Sequence, residues 1–98
     1  MKVAVNKPLP VYPAPAFLVG VYDEEGRPGG MIAAWSGVCC SEPPCISVAV
    51  QKVRHSFGGI VARKAFTVNV PSEAQAAQAD YFGIFSGRDR DKFAAAGL

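Results

Sequence analysis

Three places along the chain read as strands, one a short apolar run and two an alternation of apolar and polar residues. Residues 17–22 (Phe17-Leu18-Val19-Gly20-Val21-Tyr22) form the first. In the second place, Ile46, Val48 and Val50 interleave with Ser47, Ala49 and Gln51 at the two-residue period of a half-buried strand. In the third, Phe66, Val68 and Val70 share one face of a strand over 65–70 that Pro71 ends. Residues 29–50 read as strand, Pro43-Pro44 turn, strand, and the first of these strands is built from small residues. Small residues let another body approach the backbone, so the stretch suits a binding wall, although a plain core hairpin uses the same residue types.

Helical signals fill the gaps. Ser56 is a fair N-cap for a short helix over 57–64, which Lys64 suits as an end, although Gly58 and Gly59 weaken it. Ser72 and Gln75 have the spacing of a capping box for a helix that Gly83 terminates, with Ala74, Ala77 and Tyr81 on its packed face. A last helix opens after Asp89 and closes at Gly97. Before the first strand, Pro8, Pro10, Pro13 and Pro15 forbid a helix and predict an extended arm over 1–16. The class is mainly β with short helices, α+β, in a single domain over 1–98.

Composition narrows the function classes. Half the residues are apolar, and the longest apolar run is far short of the roughly 20 residues of a membrane-spanning helix. The N-terminus lacks the apolar region of a secretory signal, so a cytoplasmic address and no membrane partner are expected. Ten basic and eight acidic residues give a net charge of +2, so any anion site must be local. Cys39, Cys40 and Cys45 form one cluster beside the single His55 rather than the twice-repeated C-x2-C spacing of a structural zinc site, and their reading is reduced thiols packed as small hydrophobes. Neither a G-x-G-x-x-G nor a P-loop is present.

The local anion site is Arg54-His55-Ser56, between a strand and a helix N-terminus. An arginine fork, a hydroxyl and free backbone N–H groups can point there at one phosphate, and Gly58 and Gly59 let it approach. His55 has no triad partners in view. The mixed-sign run over 86–92, which includes Arg88, Arg90 and Lys92, reads as a solvated helix face.

In succession, the segments 13–20, 26–28 and 31–35, Pro43-Pro44, Arg54-His55-Ser56, Phe66-Thr67-Val68-Asn69-Val70-Pro71, Ala79-Asp80-Tyr81-Phe82-Gly83, Ser86-Gly87 and Asp91-Lys92-Phe93 resemble the flavoredoxin branch of the flavin reductase-like proteins. The resemblance covers nearly the whole chain. It implies an FMN-binding split β-barrel, a homodimer with flavin near the subunit interface, and electron transfer from NAD(P)H or a redox-protein donor to flavin or another acceptor. That activity would be an NAD(P)H-dependent flavin (FMN) reductase-like oxidoreductase.

Carried over by position, Arg54 and Ser56 hold the FMN phosphate beside His55, with Lys92 a further candidate. Met31, Ala33, Ala34, Trp35 and Ser36, with a turn at Cys40 and Ser41, border the ring and ribityl chain. The chain departs from the family pattern at Gly30, Ala33 and Ala34, which removes side-chain hydrogen bonds to flavin. Family members are longer, and the strands that close their barrel lie in a half this chain does not contain, so an incomplete four-strand half-barrel is expected.

Two rivals stand beside the reductase. One is a non-catalytic FMN carrier. The other is a small β-barrel module for single-stranded nucleic acid, using Arg54, Arg63, Arg88 and Arg90 with Phe57, Phe66 or Tyr81 as stacking platforms. Against the second, periodicity assigns those aromatics to the core, so no nucleic acid is expected. A third idea is thiol chemistry at the adjacent pair Cys39 and Cys40.

Overall fold

A computed structural model describes residues 1–4, 6, 13–89 and 91–98. Pro8 and Pro10 of the expected arm, and Arg90, lie outside the described residues, while residues 13–16 are exposed and carry no regular structure. The elements run β1 (Phe17–Tyr22), β2 (Pro28–Ala33), β3 (Ser36–Ser41), β4 (Pro44–Val48), α1 (His55–Arg63), β5 (Thr67–Asn69), a 3-10 turn (Glu73–Gln75), α2 (Ala76–Ile84) and α3 (Lys92–Ala96).

Among the described residues there are five strands, one more than the four expected from the sequence. The extra strand arises where the small-residue strand expected between 29 and the Pro43-Pro44 turn breaks in two. Ala33 pairs with Phe17, the first residue of β1, so Ala34 has no partner to extend the ladder. The chain leaves that sheet at Ala34 and Trp35, and β3 then pairs with β4 in a sheet of its own. The first sheet has the order β2-β1-β5, antiparallel throughout. Neither sheet closes, and the architecture is mainly β with short helices, an open half of a split barrel.

Opposite faces of the three-stranded sheet receive different helices. Val21 meets Gly59 of α1, whose added Cβ would lie 3.2 Å from Val21 Cγ2. Gly30 meets Phe82 of α2 on the other face, beside Leu18. The core sits at these two contacts, where Val19, Val21, Ala33 and Phe82 are buried. Phe82 also stacks edge-on against Phe93 of α3 at 5.0 Å between centroids, a favoured aromatic geometry.

Several predicted details change. α2 buries Phe82 and half-buries Gln78, Ala79 and Tyr81, while Ala74 and Ala77 are exposed. Burying one phenyl ring outweighs burying two methyl groups, so Phe82 sets the rotation of the helix. Gly83 lies inside α2, which ends at Ile84. The capping-box residues do open this segment: the Ser72 N–H donates to Gln75 Oε1 at 3.0 Å.

β5 is only three residues long, and it is the fifth strand rather than the fourth. Val68 is half-buried opposite Val19, whereas Phe66 and Val70, expected on the same packed face, are 45% and 78% exposed. They lie beyond the three paired residues Thr67–Asn69.

The β3–β4 hairpin departs furthest from its expected half-buried character. Val38 and Ile46 are cross-strand partners, yet they are 82% and 47% exposed. The turn is Glu42-Pro43, since Ser41 already pairs with Pro44. All three cysteines are exposed free thiols rather than packed hydrophobes. Among the described residues no helix is long and apolar enough to cross a membrane.

Candidate functional site

α1 begins one residue earlier than its predicted cap. Arg54, not Ser56, is the N-cap, with extended backbone at φ −68° and ψ 139°, and no side chain caps the helix. Ser56 is instead the second helical residue and is buried. The first turn holds no acidic residue. Every helix start leaves N–H groups without an intrahelical acceptor, and here a guanidinium stands beside them. A cation at the positive end of a helix is electrostatically disfavoured, and arginine is a poor N-cap. Both penalties are lifted by an anion.

His55 stands beside Arg54 at the rim of a basin of about 380 Å³ that also takes in Asp23, Arg27, Gly87, Arg88 and Lys92. Gly87 belongs there because of its missing side chain: a Cβ would fall 2.7 Å from His55 Cδ2. Arg88 was legible in sequence only as part of a solvated run, and Gly87 also as part of the Ser86-Gly87 motif of the resemblance. The signal that marks them is the Ser86-Gly87 dipeptide, small enough to pass under the imidazole.

Lys92 reaches this basin but its charge is committed. The residue is 5% exposed, and its ammonium donates to the carbonyl oxygens of Phe82 at 3.0 Å and Phe85 at 2.9 Å. Burial pushes its pKa below the usual lysine range, and the positive charge of Arg54 pushes it the same way. As a further phosphate ligand it is therefore turned the wrong way: it satisfies the last carbonyls of α2, which no backbone N–H of the helix can reach.

The opposite wall of the basin is the β1–β2 turn. Asp23 Oδ1 accepts from the N–H groups of Glu25 and Arg27 at 2.9 Å each, and Arg27 Nε donates to Oδ2 at 2.8 Å. The Arg27 N–H, foremost, holds the Asp23 carboxyl below the usual carboxylate range; burial, next in size, opposes it, and the guanidinium and the Glu25 N–H restore the balance toward the lowered value. Arg27, raised by the same pairing, also reaches Glu25 at 3.1 Å.

The remaining predicted residues fall in three places. Met31 and Ala33 lie in β2, the first half-buried and the second buried. Ala34, Trp35 and Ser36 form the joint between the sheets, and the Trp35 carbonyl accepts from the Ala49 N–H at 2.9 Å. Trp35 is 69% exposed, while Ser36 Oγ is buried without a hydrogen-bond partner among the described residues. Cys40 and Ser41 are at the far end of β3, within the strand rather than in a turn, and roughly 13 Å from Ser36 at the ordinary rise of a strand. The structure groups Arg54, His55, Ser56 and Lys92, and it leaves Cys40 and Ser41 at the tip of the hairpin.

A second cavity of about 660 Å³ opens on the sheet face that carries α2, lined by Leu18, Thr67, Asn69, Phe82 and Phe93 among others. It holds none of the predicted site residues. No group of three or more metal-ligating side chains occurs among the described residues.

Two open antiparallel sheets with an arginine-capped helix start beside them make this a mainly β protein of the α+β class. Residues 9–98 match the family model described as flavin reductase like domain, and the chain belongs to that family. Among solved structures it is similar to the flavoredoxin of Desulfovibrio vulgaris (Miyazaki F), with 48% identity and a TM-score of 0.92 over 100% of this chain and 54% of that one. It is also similar to the flavoredoxin from Methanosarcina acetivorans, with 30% identity and a TM-score of 0.85 over 94% of this chain and 49% of that one. A third is an FMN-binding protein from Thermus thermophilus solved with bound 1-cyclohex-2-enone, at 27% identity and a TM-score of 0.82, covering 97% of this chain and 55% of that one. The chain thus spans about half the length of the structures it matches. No curated protein matches it significantly.

Proposed function

We propose that this chain supplies the N-terminal part of an FMN site in a flavoredoxin-type electron-transfer protein. The observation that carries the reading is the arginine N-cap of α1. Arg54 sits at the positive end of a helix whose first turn has neither an acidic residue nor a side-chain cap. A dianionic phosphate turns that unfavourable pairing into a charge-assisted one.

The donor set fits FMN. Arg54 and the N–H groups of α1 would hold the phosphate, with the Ser56 hydroxyl and His55 beside them. Ser36 Oγ, buried and unpartnered at the joint, is a polar atom in want of a ligand partner, and Ala33 and Ala34 leave the neighbouring backbone open to a flat ring. Met31 and Trp35 would border that ring. Lys92 adds positive potential from within rather than a contact. Neighbours described as FMN-binding support the same cofactor.

FMN, when bound, supplies hydride and electron transfer, and the protein's part is to orient it and set its surroundings. Electrons would come from NAD(P)H or a redox-protein donor. A homodimer, cytoplasmic in location, is part of the same reading.

An FMN titration followed by flavin fluorescence, with sedimentation of the same sample, tests this. Quenching by a folded dimer is expected, and substitution of Arg54 should weaken it. A folded particle that leaves the fluorescence unchanged would overturn the reading. NAD(P)H oxidation above the free-flavin background then separates a reductase from a non-catalytic FMN carrier.

A further inference from the structure

The hairpin that carries the cysteines pairs two of them. Cys40 and Cys45 are direct cross-strand partners of the antiparallel β3–β4 ladder, and Cys39 is the additional residue where the register shifts between Val38 and Cys40. Direct partners in an antiparallel pair project from the same face, with Cα atoms about 4.5 or 5.5 Å apart according to the type of pair. Both values fall within the roughly 4.4–6.8 Å that a disulfide spans. Cys39 has no such partner, and an adjacent Cys39–Cys40 bond would need a strained ring. All three thiols are exposed, so a solute can reach them. In the reduced hairpin Cys40 Sγ donates to the Glu42 carbonyl oxygen at 3.4 Å, which turns the sulfur toward the bend that Cys45 follows.

We propose that Cys40 and Cys45 are a dithiol–disulfide couple that exchanges with low-molecular-weight disulfides. The pairing goes beyond the flavin reading and does not depend on it. In the first step the thiolate of one cysteine attacks a sulfur of the small disulfide. The S–S bond breaks, a mixed disulfide forms, and the departing small thiolate takes up the proton released by the cysteine. In the second, the thiolate of the other cysteine attacks the protein-side sulfur, the Cys40–Cys45 bond forms, and a second small thiol leaves with the second proton. Two protein thiols lose two electrons, and one small disulfide gains them. The pairing moves the expected thiol chemistry from Cys39 and Cys40 to Cys40 and Cys45.

The test is to treat the reduced chain with oxidised glutathione, alkylate the remaining thiols and weigh the intact protein. The wild type and Cys39→Ser are expected to lose two hydrogens, about 2 Da, with one alkylatable thiol left in the wild type and none in Cys39→Ser. Cys40→Ser and Cys45→Ser should stop at glutathione adducts. Closure should also be faster in native buffer than in denaturing urea, because the ladder holds the two sulfurs together. Glutathione adducts on the wild type without hydrogen loss, disulfide-linked dimers, closure that persists in Cys40→Ser, or closure no faster in native buffer would each overturn the proposal.

Discussion

The ammonium of Lys92 donates to the carbonyl oxygen of Phe82 at 3.0 Å while lying 5.2 Å from the centroid of that residue's ring. One side chain thus fastens α3 to the end of α2 and covers the most deeply buried aromatic among the described residues. Lys92→Met keeps the aliphatic stem but removes the ammonium that donates to the Phe82 and Phe85 carbonyls. The expected loss is about 3 kcal/mol of folding stability, on the scale of hydrogen bonds to charged groups. Urea unfolding of the two proteins measures it.

The same lysine gives a pH dependence. Its folded-state pKa is lowered, so between that value and the unfolded value the unfolded chain binds more protons. Stability from this group therefore rises with pH through that window, the reverse of a lysine that gains a carboxylate partner. Urea midpoints taken across the alkaline range should show this upward contribution in the wild type and lose it in Lys92→Met.

Gly30 faces the Phe82 ring from β2, and a Cβ there would come 3.0 Å from Cε1 and 3.3 Å from Leu18 Cδ1. Gly30→Ala must push the ring away from the sheet, which should cost about 1–3 kcal/mol as overpacking of a core. Gly37→Ala is the control, since nothing lies within 4 Å of its added Cβ. Thermal unfolding of the pair separates overpacking from the general effect of replacing glycine.

Arg54→Ser should move stability and binding in opposite directions. Serine is a preferred N-cap, so the unliganded chain should gain about 1 kcal/mol. FMN affinity should fall roughly 10- to 100-fold with the loss of a charge-assisted contact. Thermal unfolding without ligand and a fluorescence titration read the two effects, and a loss of both would mean that Arg54 is merely structural.

Asp23 orders the β1–β2 turn through its two backbone acceptor bonds and the Arg27 pair. Its pKa is lowered, so its contribution is present above the unfolded value and is lost as pH falls through the folded one. NMR titration of the Asp23 carboxyl should show a midpoint below the ordinary aspartate range. In Arg27→Ala the midpoint should move up toward it, only part of the way, because the backbone N–H donors remain.

Local chemistry determined a good deal from the sequence by itself. The alternation of Val19 and Val21, the reach of Gln75 back to Ser72 and the closure at Gly97 with φ 72° depend on residues within one turn or one strand. The Arg54-His55-Ser56 triplet and the family resemblance were legible for the same reason. Tertiary structure decided what depends on partners distant in the chain. Ala34 ends a strand because β1 starts at Phe17, and Phe82 rather than the alanines sets the face of α2 because Gly30 leaves it room. Lys92 turns inward because its ammonium donates to the Phe82 and Phe85 carbonyls at the end of α2, and Cys45 finds Cys40 rather than Cys39 because the register slips by one residue at the end of β3. Spacing along a sequence records period and propensity. Which of two neighbouring residues meets a given partner is settled only when the ladder and the helices are packed.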